Sequence, residues 1–222
     1  MDNANLFSRR RVLESTLALV PLAALTPAYA ASLMPTPRQT TGPFYPLKIP
    51  LDSDNDLVTV KGHKRRANGV ITHLTGRVMD DRGRPVRGAR VEIWQCDAFG
   101  HYHHPHDRGG RGIDPGFQGY GAMLVGDDAG YRFRTIKPVP YPGRTPHIHF
   151  AVSGPGFSRL ITQMYIEGHP LNAHDFVLNR IRDRRARESV LISFTPAPEI
   201  EPGALVAKFD IVLGLTGGLA PG

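Results

Sequence analysis

Residues 140–150 read P-Y-P-G-R-T-P-H-I-H-F. His147 and His149 are two apart, and side chains two apart on a β-strand point to the same face. Ile148 and Phe150 then fall on the opposite face, where they can join a core. Two neutral imidazoles on one rigid strand make half of a metal site. Tyr141 sits just upstream on a Pro- and Gly-rich turn that can fold back over the strand, with Arg144 between them. The same H-x-H pattern also describes a sandwich strand with two surface histidines, so the rest of the chain has to decide.

Moving outward, the neighbouring segments share the period-two pattern. Residues 70–79 read as a strand, followed by a turn at 80–85. Residues 89–95, A-R-V-E-I-W-Q, alternate as a half-buried strand should. Residues 119–125 and 130–136 form two strands joined by a short turn. Strands are also expected at 146–153, 160–167, 191–195 and 205–213. Residues 173–188 look helical, because Phe176, Val177 and Ile181 share a face and residues 183–187 are charged. The chain has 24 glycines and 20 prolines in 222 residues, which suits many short strands and tight turns. The predicted fold is all-β: a β-sandwich of seven to nine strands with one peripheral helix.

The N-terminus reads as a targeting segment. Ser8-Arg9-Arg10-Arg11-Val12-Leu13 carries twin arginines, an apolar stretch comes next at 17–25, and Ala28-Tyr29-Ala30 fits a small-x-small cleavage site. S-R-R-x-V-L resembles the twin-arginine export signal of bacteria, so a periplasmic destination is expected. The chain then divides into three parts: a signal peptide at 1–30, an N-terminal arm and linker at 31–68, and a sandwich domain at 69–222. The mature part has no apolar run long enough for a membrane span.

Cys96 is the only cysteine, so an intramolecular disulfide and a thiolate metal cluster are both excluded. Any metal is left to N and O ligands. The formal charge of +7 points, in an exported protein, to an anionic small substrate or plain solvation rather than nucleic acid. The acids at 52–56 lack the glycine and terminal glutamate of a calcium loop.

Residues 74–102 carry a longer pattern: L-T-G-R-V, four residues, G-R-P-V, four residues, V-E-I, then W-Q-C-D-A-F-G-H-Y. This run resembles the signature of the intradiol ring-cleavage dioxygenases, the family of catechol and protocatechuate 3,4-dioxygenases in aromatic compound catabolism. The resemblance runs from about Thr40 to the C-terminus. It implies a transthyretin-like sandwich and one Fe(3+) per chain, held by Tyr102, Tyr141, His147 and His149. It further implies that Tyr141 is a displaceable ligand and base, that Arg144 stabilises charge on the activated ring, and that Gln163 of T-Q-M-Y lines the site. The T-T-G-P arm resembles the segment covering the active site in that family, which makes Gly42 and Pro43 substrate-contact candidates. The implied reaction takes an aromatic diol and O2, and opens the ring between the hydroxylated carbons to a cis,cis-muconate-type diacid. One departure is that only five residues separate Tyr141 from His147. Well-known members have a longer segment with a tryptophan, so a more open pocket is expected here.

Two other readings compete. A non-catalytic transthyretin-like module could bind a small ligand or a metal, but it leaves the Tyr and His set unexplained. His101-x-His103-His104-x-His106 could hold Zn2+ or Cu2+, although a polar loop beside the main site accounts for it more simply. The oligomeric state is left open, with a homo-oligomer among the options.

Overall fold

Ten strands appear in the computed structural model, which describes residues 32–107 and 112–214. The twin-arginine segment and its cleavage site lie outside the described residues. Strand β1 (Ile71–Asp80) is the hub of the first sheet. It pairs antiparallel with β4 (Gly130–Ile136) and parallel with β9 (Leu205–Lys208) and β10 (Ile211–Leu213), while β8 (Phe194–Pro196) joins β9. The second sheet runs β3 (Tyr120–Leu124), β2 (Arg90–Trp94), β5 (His147–Gly154), β6 (Phe157–Ile166), β7 (Leu191–Ile192). All its pairs are antiparallel except β6 with β7.

The all-β sandwich expectation is borne out. Its main core is packed by Leu74 and Val78 of β1, Phe133 of β4, Val91 and Ile93 of β2, and Ile148, Phe150 and Val152 of β5. The alternation in P-H-I-H-F therefore resolves as read: Ile148 and Phe150 go to the core, and both histidines go to the other face.

That other face is covered as well. In β2, Val91, Glu92, Ile93 and Trp94 are all buried, so A-R-V-E-I-W-Q is not half-buried as its alternation suggests. The cover is the arm. Gln39 N donates to Ile161 O at 2.8 Å, and Thr162 Oγ1 donates to Pro37 O at 2.8 Å. Phe44 and Tyr45 pack on a second apolar cluster of Trp94, Cys96, Tyr102, Tyr120 and Ala151. Leu57 and Val58, in the expected linker, lie in the main core, and the described residues belong to one compact unit.

Two expectations need correction. The helix at 173–188 is instead two short 3-10 turns, Pro170–His174 and Leu178–Arg180, and a five-residue helix, α1 (Arg184–Glu188). Asp175 and Asp183 stand in extended conformation; Asp175 ends the first 3-10 turn and Asp183 N-caps α1, and these two breaks interrupt the helical ladder. Asp175 Oδ1 accepts from the N–H groups of Val177 and Leu178, and Asp183 Oδ1 from that of Ala186. The closing strands at 191–195 and 205–213 each split in two, which gives ten strands rather than seven to nine. Leu191–Ile192 extends one sheet and Phe194–Pro196 the other. Between β9 and β10, Phe209 N donates to Thr75 O and Asp210 Oδ1 accepts from Arg77 N.

Candidate metal centre and active site

The register of the second sheet assembles the site. Trp94 of β2 lies beside His149 of β5, which lies beside Gln163 of β6; His147 pairs with Tyr165. These residues share the face turned to the arm. Trp94 stacks on the His149 ring, with centroids 4.8 Å apart and planes 9° apart. The His147 and His149 rings are 4.9 Å apart. His147 Nδ1 meets Thr145 O at 2.7 Å, so that nitrogen carries the proton and Nε2 keeps its lone pair.

The tyrosines come from loops. Tyr102 lies after β2 in a loop organised by buried Asp97. Its carboxylate accepts from the N–H groups of Phe99, His101 and Asp114 at 2.9–3.0 Å. Tyr141-Pro142-Gly143-Arg144 is a tight turn closed by Arg144 N donating to Tyr141 O at 2.9 Å. Proline second and a glycine at φ +81 third are the signature of a type II turn, which only glycine adopts without strain. The turn brings Arg144 back beside Tyr141. The Tyr102 and Tyr141 rings are 5.7 Å apart, and Tyr141 is 5.4 Å from His147. All four expected ligands thus converge.

Burial sets their protonation. It holds the His147 imidazole down at about 3, helped by the Arg144 cation nearby, so the ring is neutral. His149 is likewise pushed well below the usual histidine range by burial, then by His147 and Arg144. Burial raises the Tyr102 phenol well above its ordinary value, and Cys96 and Tyr141 add to this. Tyr141 is raised too, chiefly by burial and against the pull of Arg144. Both phenols therefore keep their protons until a multivalent cation stabilises the phenolates.

Arg144 is 8 % exposed, and each of its three side-chain nitrogens makes a hydrogen bond. Its Nε donates to Asp175 Oδ2 at 2.9 Å, one terminal nitrogen to Gln163 Oε1 at 2.6 Å, and the other to Tyr141 Oη at 3.4 Å. Asp175 Oδ2 also accepts from Thr145 N at 2.9 Å, so one carboxylate braces both Arg144 and the segment leading to His147. Gln163 Nε2 donates to Thr40 O at 3.0 Å, and Tyr165 Oη donates to Gln39 Oε1 at 2.5 Å. The arm is thereby tied to the same network.

Of the arm candidates, Gly42 lies over the site. A Cβ there would stand 3.1 Å from His149 Cε1, on a backbone at φ +71. Pro43 is exposed, and Phe44 is the arm residue packed on a proposed ligand, stacked on Tyr102 at 4.6 Å. Asp175, Phe44 and Thr40 escaped the reading of the residues. Asp175 was hidden inside a run that looks helical; T-T-G-P-F was legible as an arm, but not which of its side chains touch the ring. The histidine-rich loop does not close into a site: among the described residues no three His, Cys, Asp or Glu side chains group to hold a metal. His103 instead packs edge-on against Phe117, and His104 and His106 lie ring to ring at 5.0 Å.

A metal fits the central cluster. Tyr102 Oη, His147 Nε2 and His149 Nδ1 are buried without a hydrogen-bond partner among the described residues, and such groups are costly unless something binds them. Two phenols and two imidazoles are hard-to-borderline donors suited to a trivalent ion. Cys96 is buried in the apolar cluster beside these residues, with its Sγ donating to Val139 O at 3.7 Å.

Fold and site together define a two-sheet sandwich with a buried imidazole–phenol centre under an N-terminal arm. A family model described as Dioxygenase matches residues 40–214. The protocatechuate 3,4-dioxygenase beta chain of Burkholderia cepacia is 40% identical over 172 residues, covering 74% of this chain and 72% of that one. Catechol 1,2-dioxygenase of Candida albicans is 30% identical over 154 residues, 61% of this chain but 48% of the relative's length. Among solved structures, the dioxygenase domain of a dioxygenase–carbohydrate-binding protein fusion from Streptomyces sp. SirexAA-E superposes with a TM-score of 0.64 at 30% identity, covering 82% of this chain and all of that one. The chain belongs to the intradiol ring-cleavage dioxygenase family. The expectation of a ring-cleaving dioxygenase, rather than a non-catalytic module, is thus borne out at the level of family.

Proposed function

We propose that the protein is a non-haem Fe(III) intradiol dioxygenase with one iron per chain, which cleaves a catechol-type aromatic diol with O2 to a cis,cis-muconate-type diacid. The observation that carries this reading is the convergence of Tyr102, Tyr141, His147 and His149 beside a buried, fully braced Arg144. These four would hold the iron. Ferric iron in such a set would supply Lewis acidity toward the diol hydroxyls and make the ring susceptible to O2.

The chain's own residues do the rest. Tyr141 is the less buried phenol of the two, and its Oη is the atom placed to take one diol proton. The Arg144 guanidinium, pinned by Asp175 and Gln163, faces the place where negative charge develops on the ring, and so stabilises it without reorganising. Trp94 and Phe44 stack against His149 and Tyr102 and keep water from the proposed ligands.

The test is oxygen uptake by iron-loaded protein with catechol, protocatechuate and hydroxyquinol, together with identification of the product. A muconate-type diacid is expected. A semialdehyde would overturn intradiol cleavage, and ligand binding without oxygen uptake would favour the carrier. We also propose export by the twin-arginine route. Replacing Arg9 and Arg10 with lysine should leave the protein in the cytoplasm, and unimpeded export of that variant would overturn this.

A further inference from the structure

A basic run lies outside the metal centre, at Lys61, His63, Lys64, Arg65 and Arg66, and all five residues are exposed. The last four border a hollow of about 470 Å³, together with Phe99 and the segment from Ile113 to Gly116. None of the proposed iron ligands lines it, and neither do Arg144 and Gln163. The run is seated firmly on that segment. Asn68 N and Nδ2 both donate to Asp114 Oδ2, at 2.7 and 3.0 Å, and a Cβ on Gly116 would stand 2.7 Å from Arg65 O. The backbone of the run is thus fixed, while its side chains are left to solvent.

The charge around the hollow is of one sign. Lys64 and Arg65 form no ion pair among the described residues. Arg66 reaches one acid, Glu201, at 3.4 Å, and Arg134 already holds that carboxylate at 2.7 Å. The acid of the lining, Asp114, is buried, and both its oxygens accept N–H groups of Asn68 and Gly116. Beside these cations Phe99 is 59 % exposed and Ile113 46 %. Single apolar side chains on a surface are ordinary, but apolar side chains grouped with unpaired cations around one hollow mark an interaction surface.

We propose that this face docks the protein on an anionic phospholipid surface. Lys64, Arg65 and Arg66 meet the lipid phosphates, and Phe99 and Ile113 enter the boundary between headgroups and acyl chains. The apolar pair decides between partners of like charge. A nucleic acid could stack a base on Phe99, but an aliphatic side chain such as Ile113 adds nothing to a bare polyanion. Both side chains gain by leaving water for acyl chains. The attraction between the cations and the lipid phosphates is screened by salt, so docking is reversible. It does not depend on any chemistry at the iron.

The test is sedimentation of iron-loaded protein with vesicles of phosphatidylglycerol and phosphatidylcholine in equal parts, against vesicles of phosphatidylcholine alone. The full-length chain and the chain from Ala31 are compared, which separates this face from residues 1–30; the described residues form one compact unit within the shorter form. The shorter form should bind the mixed vesicles and not the neutral ones, and added salt should weaken binding. Lys64→Ala with Arg65→Ala should lower the partition coefficient about thirtyfold, the usual size for two cations at such a surface. Phe99→Ser with Ile113→Ser should lower it about tenfold. Arg182→Ala with Arg185→Ala removes the same charge from exposed positions outside the hollow. That variant should stay within about twofold of the wild type. Equal loss in the two charge variants would reduce the effect to net charge and overturn the proposal. Loss in the Lys64 and Arg65 variant with none in the Phe99 and Ile113 variant would also overturn it, since that is the pattern of a polyanion site. Binding by the full-length chain alone would assign the effect to residues 1–30, with the same consequence. If the shorter form fails to melt cooperatively, the same variants in the full-length chain decide.

Discussion

The four proposed ligands are held in two ways. His147 and His149 ride on β5, the middle strand of its sheet, with β2 paired on one side and β6 on the other. Tyr102 and Tyr141 hang from loops, one organised by Asp97 and one by a four-residue turn. The strand pair is fixed by a ladder of backbone hydrogen bonds that no single side chain can undo. The loop pair is fixed by side chains, Asp97 on one hand, Arg144 and Asp175 on the other. The rigid half defines where a metal sits, and the adjustable half can change during a reaction.

The most severe way to break the comparison is to remove the rigid half. His147→Ala or His149→Ala should fold but lose stoichiometric iron, measured by metal analysis, and lose turnover with it. Next comes the loop half. Tyr141→Phe should keep iron, lose part of its tyrosinate charge-transfer colour, and lose ~10²–10⁴-fold in turnover, the usual size for a missing proton-transfer group. If Tyr141→Phe instead loses iron as completely as the histidine variants, the two halves do not differ.

Asp175→Ala tests the brace of the loop half. It leaves the Arg144 charge buried without its partner, which typically costs about 3–5 kcal/mol, read from chemical denaturation. Burial alone would raise the Asp175 carboxyl, but the N–H groups of Leu178 and Thr145 and the Arg144 cation outweigh it and hold it below its ordinary value. A lowered carboxylate contributes stability that is present above the ordinary aspartate value and is lost as pH falls through the folded one. The stability gap between wild type and Asp175→Ala should therefore be flat above about pH 5 and narrow below about pH 4. The smallest effect is expected from Tyr45→Phe, which deletes the arm's hydrogen bond to Glu92 at 3.2 Å. A loss of about 1 kcal/mol or less is expected, with iron content unchanged.

The same division explains what could be read from the residues. The strand half was legible because period two is a local signal: P-H-I-H-F and A-R-V-E-I-W-Q show their faces directly. Tyr102 and Gln163 were legible only through a family resemblance; the Pro- and Gly-rich turn showed that Tyr141 and Arg144 could fold back over the strand, but their roles came from the resemblance. Asp175 was illegible because Phe176, Val177 and Ile181 imitate a helical face. Val177 and Ile181 are indeed buried, but Phe176 is 57 % exposed, with the guanidinium carbons of Arg144 and Arg180 each 5.7 Å from its ring centre. Burial of Glu92 was hidden for a related reason. A charged residue at an alternating position reads as solvent-facing, yet the arm covers it and supplies Tyr45, and Tyr120, Arg159 and Arg90 also pair with it.

The hub position of β1 bears on how fast the molecule can form. Its parallel partners, β9 and β10, come from the far end of the described chain, and Thr36 N on the arm donates to Val212 O beside them. A sheet whose central strand waits for residues more than half a chain away must close a long loop before any of those contacts repay it. The two sheets cannot both be complete in a nascent chain still lacking its last strands. Until then the apolar edge of β1 is open to wrong pairings, and slow, all-or-none acquisition of the native state is the expected kinetic signature.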